Sequence, residues 1–304
     1  MVRERTVVTS DGVELSVRDT GGDGAVLILL HGWGQTQAMF RGQAAGLAHR
    51  RRIVTFDMRG HGTSSRPDHG YRIARLAADL RDVLDALRVE RADLLGWSMG
   101  ASVIWSYLEL FGVSRVRSLV LVDQPAAVVA VPWMTEAEQA AAGSILPVDG
   151  LTALGKAVHE DDSGEVVRAF VRSMFTGEVD DDLWEFVTEQ IARTPRAAAV
   201  PLLFDHGTQD WRDVLPGITL PTLVVGCEGS HVSPASQQAV AERIPGARLH
   251  VFPREVASSH FPFLENPAAF NAVVEAFLDE QAAVATSVQR SADTLSESDG
   301  ARRS

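Results

Sequence analysis

Short apolar runs alternate with helical patterns along most of this 304-residue chain. Continuous runs of this kind are typical of strands buried on both faces of a parallel sheet. Six of them follow one another: Ala25–Leu30, Arg52–Phe56, Ala92–Gly96, Ser118–Val122, Thr222–Val225 and Arg248–Phe252. Helical patterns lie between or after them at Phe40–Ala48, Ala74–Leu87, Ala101–Phe111 and Pro267–Leu278. This alternation predicts a doubly wound α/β fold rather than two separate domains.

Two further strands are predicted ahead of these runs. Arg5–Thr9 and Val13–Arg18 alternate between apolar and polar residues, and Asp11-Gly12 between them is a hairpin signal. They bring the predicted sheet to eight strands, of which most are parallel.

One segment interrupts the alternation, because residues 132–201 show helical patterns and no strand pattern. We interpret it as a helical cap inserted into a core made of residues 1–131 and 202–282. The segment carries several aromatic residues, and most of them are expected only to pack the cap onto the core. Residues 283–304 turn polar without periodicity, which predicts a disordered tail.

Composition excludes several classes of function. The net charge of −12 disfavours nucleic acid and anionic membranes as partners. The longest apolar run is too short to span a bilayer, and the first residues lack a secretory signal. A single cysteine, Cys227, cannot form an internal disulfide. We therefore predict a cytoplasmic monomer or homodimer, and the sequence carries no motif for a cofactor or a metal ion.

The sequence Gly96-Trp97-Ser98-Met99-Gly100 places a serine between a buried strand and the start of a helix. A G-x-S-x-G match alone is weak, but a sharp strand-to-helix turn is the context in which such a serine becomes a nucleophile. The backbone N–H of Met99, at the helix N-terminus, is then placed to stabilise an oxyanion. Ser98 is the predicted nucleophile.

A second oxyanion donor is expected from the loop after the first parallel strand. His31-Gly32-Trp33-Gly34 follows that strand directly, and its glycines allow the backbone to approach a substrate closely. We predict that the Trp33 N–H is the donor. His31 is interpreted as a structural residue that forms hydrogen bonds.

A serine nucleophile needs a base within hydrogen-bond reach, and imidazole suits that role. Of the nine histidines, His260 follows the last predicted strand and precedes the final helix, at the sheet edge where Ser98 is expected. His260 is therefore the predicted base, and His206 and His231 are the alternatives.

With these pieces the sequence resembles the α/β-hydrolase superfamily over about residues 3–281. The matching parts are the His31 loop, the Ser98 turn, the His260 loop and the segment from Phe56 to Ser64. The resemblance implies that Asp57 and Arg59 are structural. A serine nucleophile argues against dehalogenase and epoxide hydrolase activity, since those members carry Asp there.

The resemblance also implies a triad acid after the seventh strand, but Ser230 occupies that position. Serine cannot supply the negative charge that stabilises an imidazolium. Asp123, at the tip of the sixth strand, is the expected acid, as in some superfamily members. Glu228 and a dyad without an acid remain as alternatives.

A weaker resemblance links the chain to zearalenone-type lactonases, whose acid, a Glu, follows the sixth strand. The similar parts of the sequence are residues 34–40, residues 54–58 and a tryptophan in the cap, Trp184. The chain departs from the subgroup because it keeps His31-Gly32 and carries Asp rather than Glu. The residues expected to line the substrate site are Gly32, Trp33, Trp133, Met134, Trp184 and Phe261.

The predicted reaction is hydrolysis of a carboxylic ester, with a lactone that has an apolar or aromatic body as the favoured substrate. The same residues could serve an acyl-homoserine lactonase, a perhydrolase or haloperoxidase-like enzyme, or a carbon–carbon bond hydrolase. A hydrolase-fold receptor for a small signalling molecule is the alternative from another class. A non-catalytic binding protein is disfavoured because nucleophile, base and oxyanion loop are all present.

Overall fold

An eight-stranded sheet forms the centre of the computed structural model, which describes the backbone of residues 2–301 and the side chains of residues 2–284. A separate pair of two-residue strands lies outside this sheet. In chain order the strands are β1 (Arg3–Val8), β2 (Glu14–Asp19), β3 (Val26–Leu30), β4 (Arg52–Phe56), β5 (Ala92–Trp97), β6 (Val116–Val122), β7 (Val129–Ala130), β8 (Leu146–Pro147), β9 (Thr222–Cys227) and β10 (Arg248–Phe252).

The large sheet has the order β1-β2-β4-β3-β5-β6-β9-β10. β1 and β2 pair antiparallel, β2 pairs antiparallel with β4, and the remaining neighbours are parallel. The predicted fold class and the eight-stranded, mostly parallel sheet are therefore confirmed. Since β3, β5, β6 and β9 run in the same direction, the loops after them meet at one edge of the sheet.

Eleven helices are assigned along the described backbone. They are α1 (Arg41–Leu47), α2 (Ile73–Ala86), α3 (Met99–Phe111), α4 (Glu136–Ala142), α5 (Val148–Glu160), α6 (Glu165–Ser173), α7 (Asp181–Ile191), α8 (Arg196–Gly207), α9 (Pro234–Arg243), α10 (Pro262–Glu265) and α11 (Pro267–Ala301). The predicted tail at 283–304 lies outside the residues with described side chains, apart from its first two.

Helices cover both faces of the sheet, and this is why the strand sequences are continuously apolar. In β3, Ile28 and Leu30 belong to one hydrophobic cluster, and Leu27 and Leu29 belong to the other. Successive side chains of a strand point to opposite faces, so every position of β3 contacts a core. On each face, the burial of apolar surface stabilises the fold by about 25 cal/mol for each Å² removed from water.

The segment between β6 and β9 holds α4 to α8 and the small parallel pair of β7 and β8. β8 falls within residues predicted to be wholly helical, because a two-residue strand is too short to leave a periodic signal. The expected cap boundary at residue 201 lies inside α8. Pro201 removes one helical hydrogen bond, but Leu202 and Leu203 after it remain buried.

Among the described residues, no helix is both long enough and apolar enough to cross a membrane.

Candidate active site

Ser98 lies in the turn between β5 and α3, in a backbone conformation that residues other than glycine rarely adopt. Its φ is 53° and its ψ is −127°. The Ser98 N–H donates to the Val122 carbonyl at 2.9 Å, and the Ser98 carbonyl accepts from the Ala101 N–H at 2.8 Å. These bonds hold a strained turn that presents the hydroxyl at the sheet edge.

One glycine is required on each side of this serine, two residues away. A Cβ atom at Gly96 would lie 2.6 Å from the Ala101 nitrogen, and one at Gly100 would lie 2.2 Å from the Leu30 carbonyl oxygen. Both distances are far below van der Waals contact. The G-x-S-x-G pattern is therefore explained here by the close passage of α3 over β3 and β5.

His260 and Asp123 form a buried pair at the same sheet edge. His260 Nδ1 lies 2.7 Å from Asp123 Oδ2. Asp123 follows β6 directly, has a φ of 51°, and donates its N–H to the Val225 carbonyl at 2.8 Å. The ring of His260 therefore has a fixed orientation, with Nδ1 on the carboxylate. Nε2 is the nitrogen left for Ser98, which lines the same cavity.

The other carboxyl group considered for this role lies elsewhere. Glu228 Oε2 accepts a hydrogen bond from the Arg254 N–H at 3.3 Å. The structure thus brings Asp123, and not Glu228, to His260.

Ser230, which the sequence places where the resemblance implies the acid, is a contact of the acid. Its hydroxyl donates to Asp123 Oδ2, the oxygen that also faces His260. The same Oγ accepts the Val232 N–H at 3.1 Å, which fixes its position. This contact was not predicted from the sequence, where Ser230 is excluded as the acid because it carries no charge and is not considered as a hydrogen-bond donor.

Burial sets the electrostatics of the pair. Burial lowers the pKa of His260, so the imidazole is neutral at pH 7 and has a free lone pair for a proton. Burial raises the pKa of Asp123, the hydrogen bond from Ser230 lowers it in part, and the resulting pKa is about 7. A hydroxyl that donates to a carboxylate favours its charged form, so Ser230 supports an ionised acid.

The backbone of His260 is held by Trp97, the residue before Ser98. Trp97 Nε1 donates to the His260 carbonyl at 2.9 Å. The Phe261 ring stacks on Phe175 of the cap segment, with centroids 4.1 Å apart. These contacts connect the histidine loop to β5 on one side and to the cap on the other.

The loop after β3 lies against Ser98. A Cβ atom at Gly32 would lie 3.2 Å from Ser98 Cβ, so this loop passes directly beside the serine. Trp33 Nε1 donates to the Ala199 carbonyl of α8 at 2.8 Å, which anchors the loop to the cap. Met99 is the first residue of α3. The two predicted oxyanion donors therefore belong to segments that flank Ser98.

His31 is a structural residue, as the sequence indicates. Its Nδ1 lies 2.9 Å from the Gly32 carbonyl oxygen, and its Nε2 accepts the Met58 N–H at 3.0 Å. Both nitrogens are occupied by backbone groups, so this ring has no role as a base.

One cavity contains both Ser98 and His260 in its wall. Its lining is mainly apolar and includes Trp33 and Phe261, two of the residues expected at the substrate site. Four polar residues in its lining were not predicted as substrate contacts: Gln35, Gln124, His206 and His231. From the sequence, His206 and His231 are expected only as alternative bases.

Three other expected substrate contacts lie elsewhere. Trp133 and Met134 line a different cavity beside α5 and α8, and Trp133 is 81% exposed. Trp184 packs edge-on against Phe175 and is absent from the lining of the cavity that contains Ser98. Their place in the helical segment 132–201 identified these as cap residues, but the fold of that segment decides which side chains reach the cavity.

Asp123, His231 and His260 offer ligand atoms that all lie within 4.8 Å of one another, which is a spacing a metal ion could bridge. Asp123 Oδ2 already contacts both His260 and Ser230. A metal ion bound there would compete with the histidine–aspartate pair that the hydrolytic arrangement requires.

A serine in a strained strand-to-helix turn shares one cavity with the histidine of a histidine–aspartate pair. This site, together with the mostly parallel eight-stranded sheet, defines the class of protein to which the chain belongs. Residues 25–267 match the family model described as alpha/beta hydrolase fold, and the chain belongs to this family.

Three similar proteins illustrate the relationship. A pimeloyl-[acyl-carrier protein] methyl ester esterase of Aeromonas hydrophila is 30% identical over 84% of this chain and 96% of its own. A 3-oxoadipate enol-lactonase of Acinetobacter baylyi is 25% identical over 90% of this chain and 96% of its own. An esterase from Exiguobacterium antarcticum superposes with a TM-score of 0.81 at 24% identity, over 91% of this chain and all of its own. That last likeness concerns the fold.

Proposed function

We propose that this chain hydrolyses carboxylic esters, with lactones as the favoured substrates, through a covalent acyl-enzyme on Ser98. The observation that carries the proposal is the placement of Ser98 and the His260–Asp123 pair in and behind one cavity wall. The esterase and the enol-lactonase among the similar proteins support the same class of reaction.

In the first half of the proposed reaction, Ser98 Oγ attacks the carbonyl carbon and its proton passes to His260 Nε2. Asp123 holds the ring through Nδ1 and stabilises the imidazolium that forms. The negative charge on the carbonyl oxygen is received by the N–H groups of Trp33 and Met99. When the tetrahedral intermediate collapses, the C–O bond breaks and His260 protonates the leaving alkoxide.

In the second half, His260 takes a proton from water, and the hydroxide attacks the acyl-enzyme. The acid product leaves, and the proton returns to Ser98 Oγ. With a lactone the released hydroxyl remains part of the acyl chain, so one hydroxy acid is the product. The mainly apolar cavity lining favours a substrate with an apolar body.

The finer form of the proposal is a lactone with an aromatic body, of the zearalenone type. Its support is the aromatic lining given by Trp33, Phe170 and Phe261, together with an acid that follows β6. Small lactones and macrocyclic aromatic lactones belong in one substrate panel, because cap shape decides between them.

The test is a panel of chromogenic esters and lactones, with products identified by mass, assayed with wild-type enzyme and the Ser98→Ala variant. We expect steady-state turnover in the wild type and none in the variant. Turnover retained by Ser98→Ala would contradict the scheme. A single burst without steady-state turnover would instead favour a small-molecule receptor with slow or single turnover.

A further inference from the structure

Some of the residues that line the cavity at Ser98 carry buried polar atoms with no hydrogen-bond partner within the described part of the protein. Gln35 lines this cavity, is 1% exposed, and leaves both Oε1 and Nε2 unpartnered. An unpaired buried polar group costs about 1–3 kcal/mol. Native proteins keep such groups rarely, and often where a ligand or a water molecule completes them.

A second such group lies on the cap side of the same cavity. His206 of α8 is 7% exposed, and its Nδ1 has no partner among the described residues. Burial lowers the pKa of His206 to about 4, so the ring is neutral at pH 7. A neutral imidazole offers one donor and one acceptor, and the Gln35 amide offers two N–H donors and a carbonyl acceptor.

The described lining of the cavity contains no lysine, arginine, aspartate or glutamate. A charged group on the substrate would therefore lose water without gaining an opposite charge, which is strongly unfavourable. An uncharged polar group, in contrast, would find donors and acceptors at Gln35 and His206.

We infer that the substrate carries a second, uncharged hydrogen-bonding group in addition to its ester carbonyl, and that Gln35 and His206 bind it. A carboxamide fits best, because it pairs a carbonyl acceptor with an N–H donor as the glutamine amide does. The inference rests on the proposed function, since it names the substrate class of the same site. Gln35 and His206 determine specificity and take no part in the bond changes.

The test uses nitrophenyl esters of equal chain length in three matched forms. One form has an internal amide, placed at successive positions along the chain in a series of compounds. The second has methylene groups there, and the third has a carboxylate. For the best amide position we expect kcat/KM about tenfold above the methylene ester, the size expected for one neutral hydrogen bond. The carboxylate ester should be the poorest substrate.

The variants Gln35→Met and His206→Phe keep the approximate size of the side chains and remove their hydrogen-bonding atoms. In each of them the ratio of kcat/KM for the amide ester to that for the methylene ester should fall toward one. His250→Phe is the matched control, because His250 of β10 also has an unpartnered nitrogen among the described residues but lies outside this cavity. Its ratio should equal that of the wild type.

If the wild type gives the amide ester the same kcat/KM as the methylene ester at every amide position, the inference is overturned. The unpartnered polar atoms would then be assigned to bound water. An amide preference that survives in both variants would overturn it too. If the wild type cleaves no ester at all, the proposed function fails, and the inference is then decided by calorimetry. Ser98→Ala should bind an alkyl amide about tenfold more tightly than the matched alkane chain, and equal affinity would contradict it.

Discussion

The hydroxyl of Ser230 donates to Asp123 Oδ2, the same oxygen that lies 2.7 Å from His260 Nδ1. A residue that stands at the position expected for the acid is therefore a hydrogen-bond donor to the acid that lies after β6. The ends of two adjacent strands therefore contribute to one interaction. Asp123 after β6 supplies the negative charge, and Ser230 after β9 supplies the hydrogen-bond donor that stabilises it.

Removing this donor should move the pH profile. In Ser230→Ala the Asp123 carboxylate loses a hydrogen bond that lowers its pKa, so the protonated acid is favoured. The proposed mechanism requires an ionised Asp123 and a neutral His260, so the acid limb of kcat/KM should shift to higher pH. We also expect kcat/KM at neutral pH to fall about tenfold.

Ser230→Thr is the control for that experiment, since it keeps the hydroxyl. Its acid limb should return toward the wild-type position. An unchanged acid limb in Ser230→Ala would mean that the hydrogen bond has no bearing on the charge of Asp123.

Asp123→Asn should lower kcat by about three to four orders of magnitude, because an amide leaves the imidazole without a negative charge and favours the wrong tautomer. Steady-state kinetics on a chromogenic ester measure the change. Glu228→Gln should stay within about a factor of two, since Glu228 contacts Arg254 rather than His260. A larger loss in Glu228→Gln than in Asp123→Asn would reassign the acid.

Gly100→Ala should destabilise the protein by about 1–3 kcal/mol or more, since the added Cβ would lie 2.2 Å from the Leu30 carbonyl oxygen. Urea unfolding followed by fluorescence measures the loss. Gly217→Ala is the matched control, because a Cβ placed there meets no described atom within 4 Å apart from its chain neighbours and local backbone. Similar unfolding midpoints for the two variants would show that α3 can move away from β3.

Arg59→Met should cost about 3–5 kcal/mol of unfolding free energy. Arg59 and Asp79 are both fully buried, and two hydrogen bonds of 2.7 Å join them. The substitution leaves the buried Asp79 carboxylate with Arg75 as its remaining cation, 2.9 Å from Oδ1, and it also removes the two hydrogen bonds from Arg59 to Asp11. Lys156→Met, which removes the cation of an exposed i,i+4 pair with Glu160, should change the free energy by less than about 0.5 kcal/mol. Comparable losses in both variants would contradict this account.

Much of the fold follows from periodicity. The apolar runs are continuous because both faces of the central strands are covered, and the predicted strands β4 and β10 have the bounds that the structure gives. What periodicity could not provide is the path of the cap. β7 and β8 are two residues long, and α8 continues through Pro201 because its later turns remain buried.

The candidate site divides in the same way. The structure brings together Ser98, Asp123 and His260, which the sequence identifies from strand ends and chain order. These positions are set by the parallel sheet, so local sequence is enough to find them. Gln35 and His206 carry no local signal, because their importance arises from unpartnered atoms in the described fold. Trp133 could not be assigned for the same reason, since its exposure depends on the cap fold.

The bond from Trp33 Nε1 to the Ala199 carbonyl bears on how such an enzyme can diverge. Its acceptor is a backbone atom, so no side-chain substitution in α8 can delete it while the helix keeps its path. The cap is therefore free to change its lining residues and acquire new substrates, while the loop beside the nucleophile stays anchored. Grafting a cap from a relative should succeed only where the donor helix brings a carbonyl to that same place.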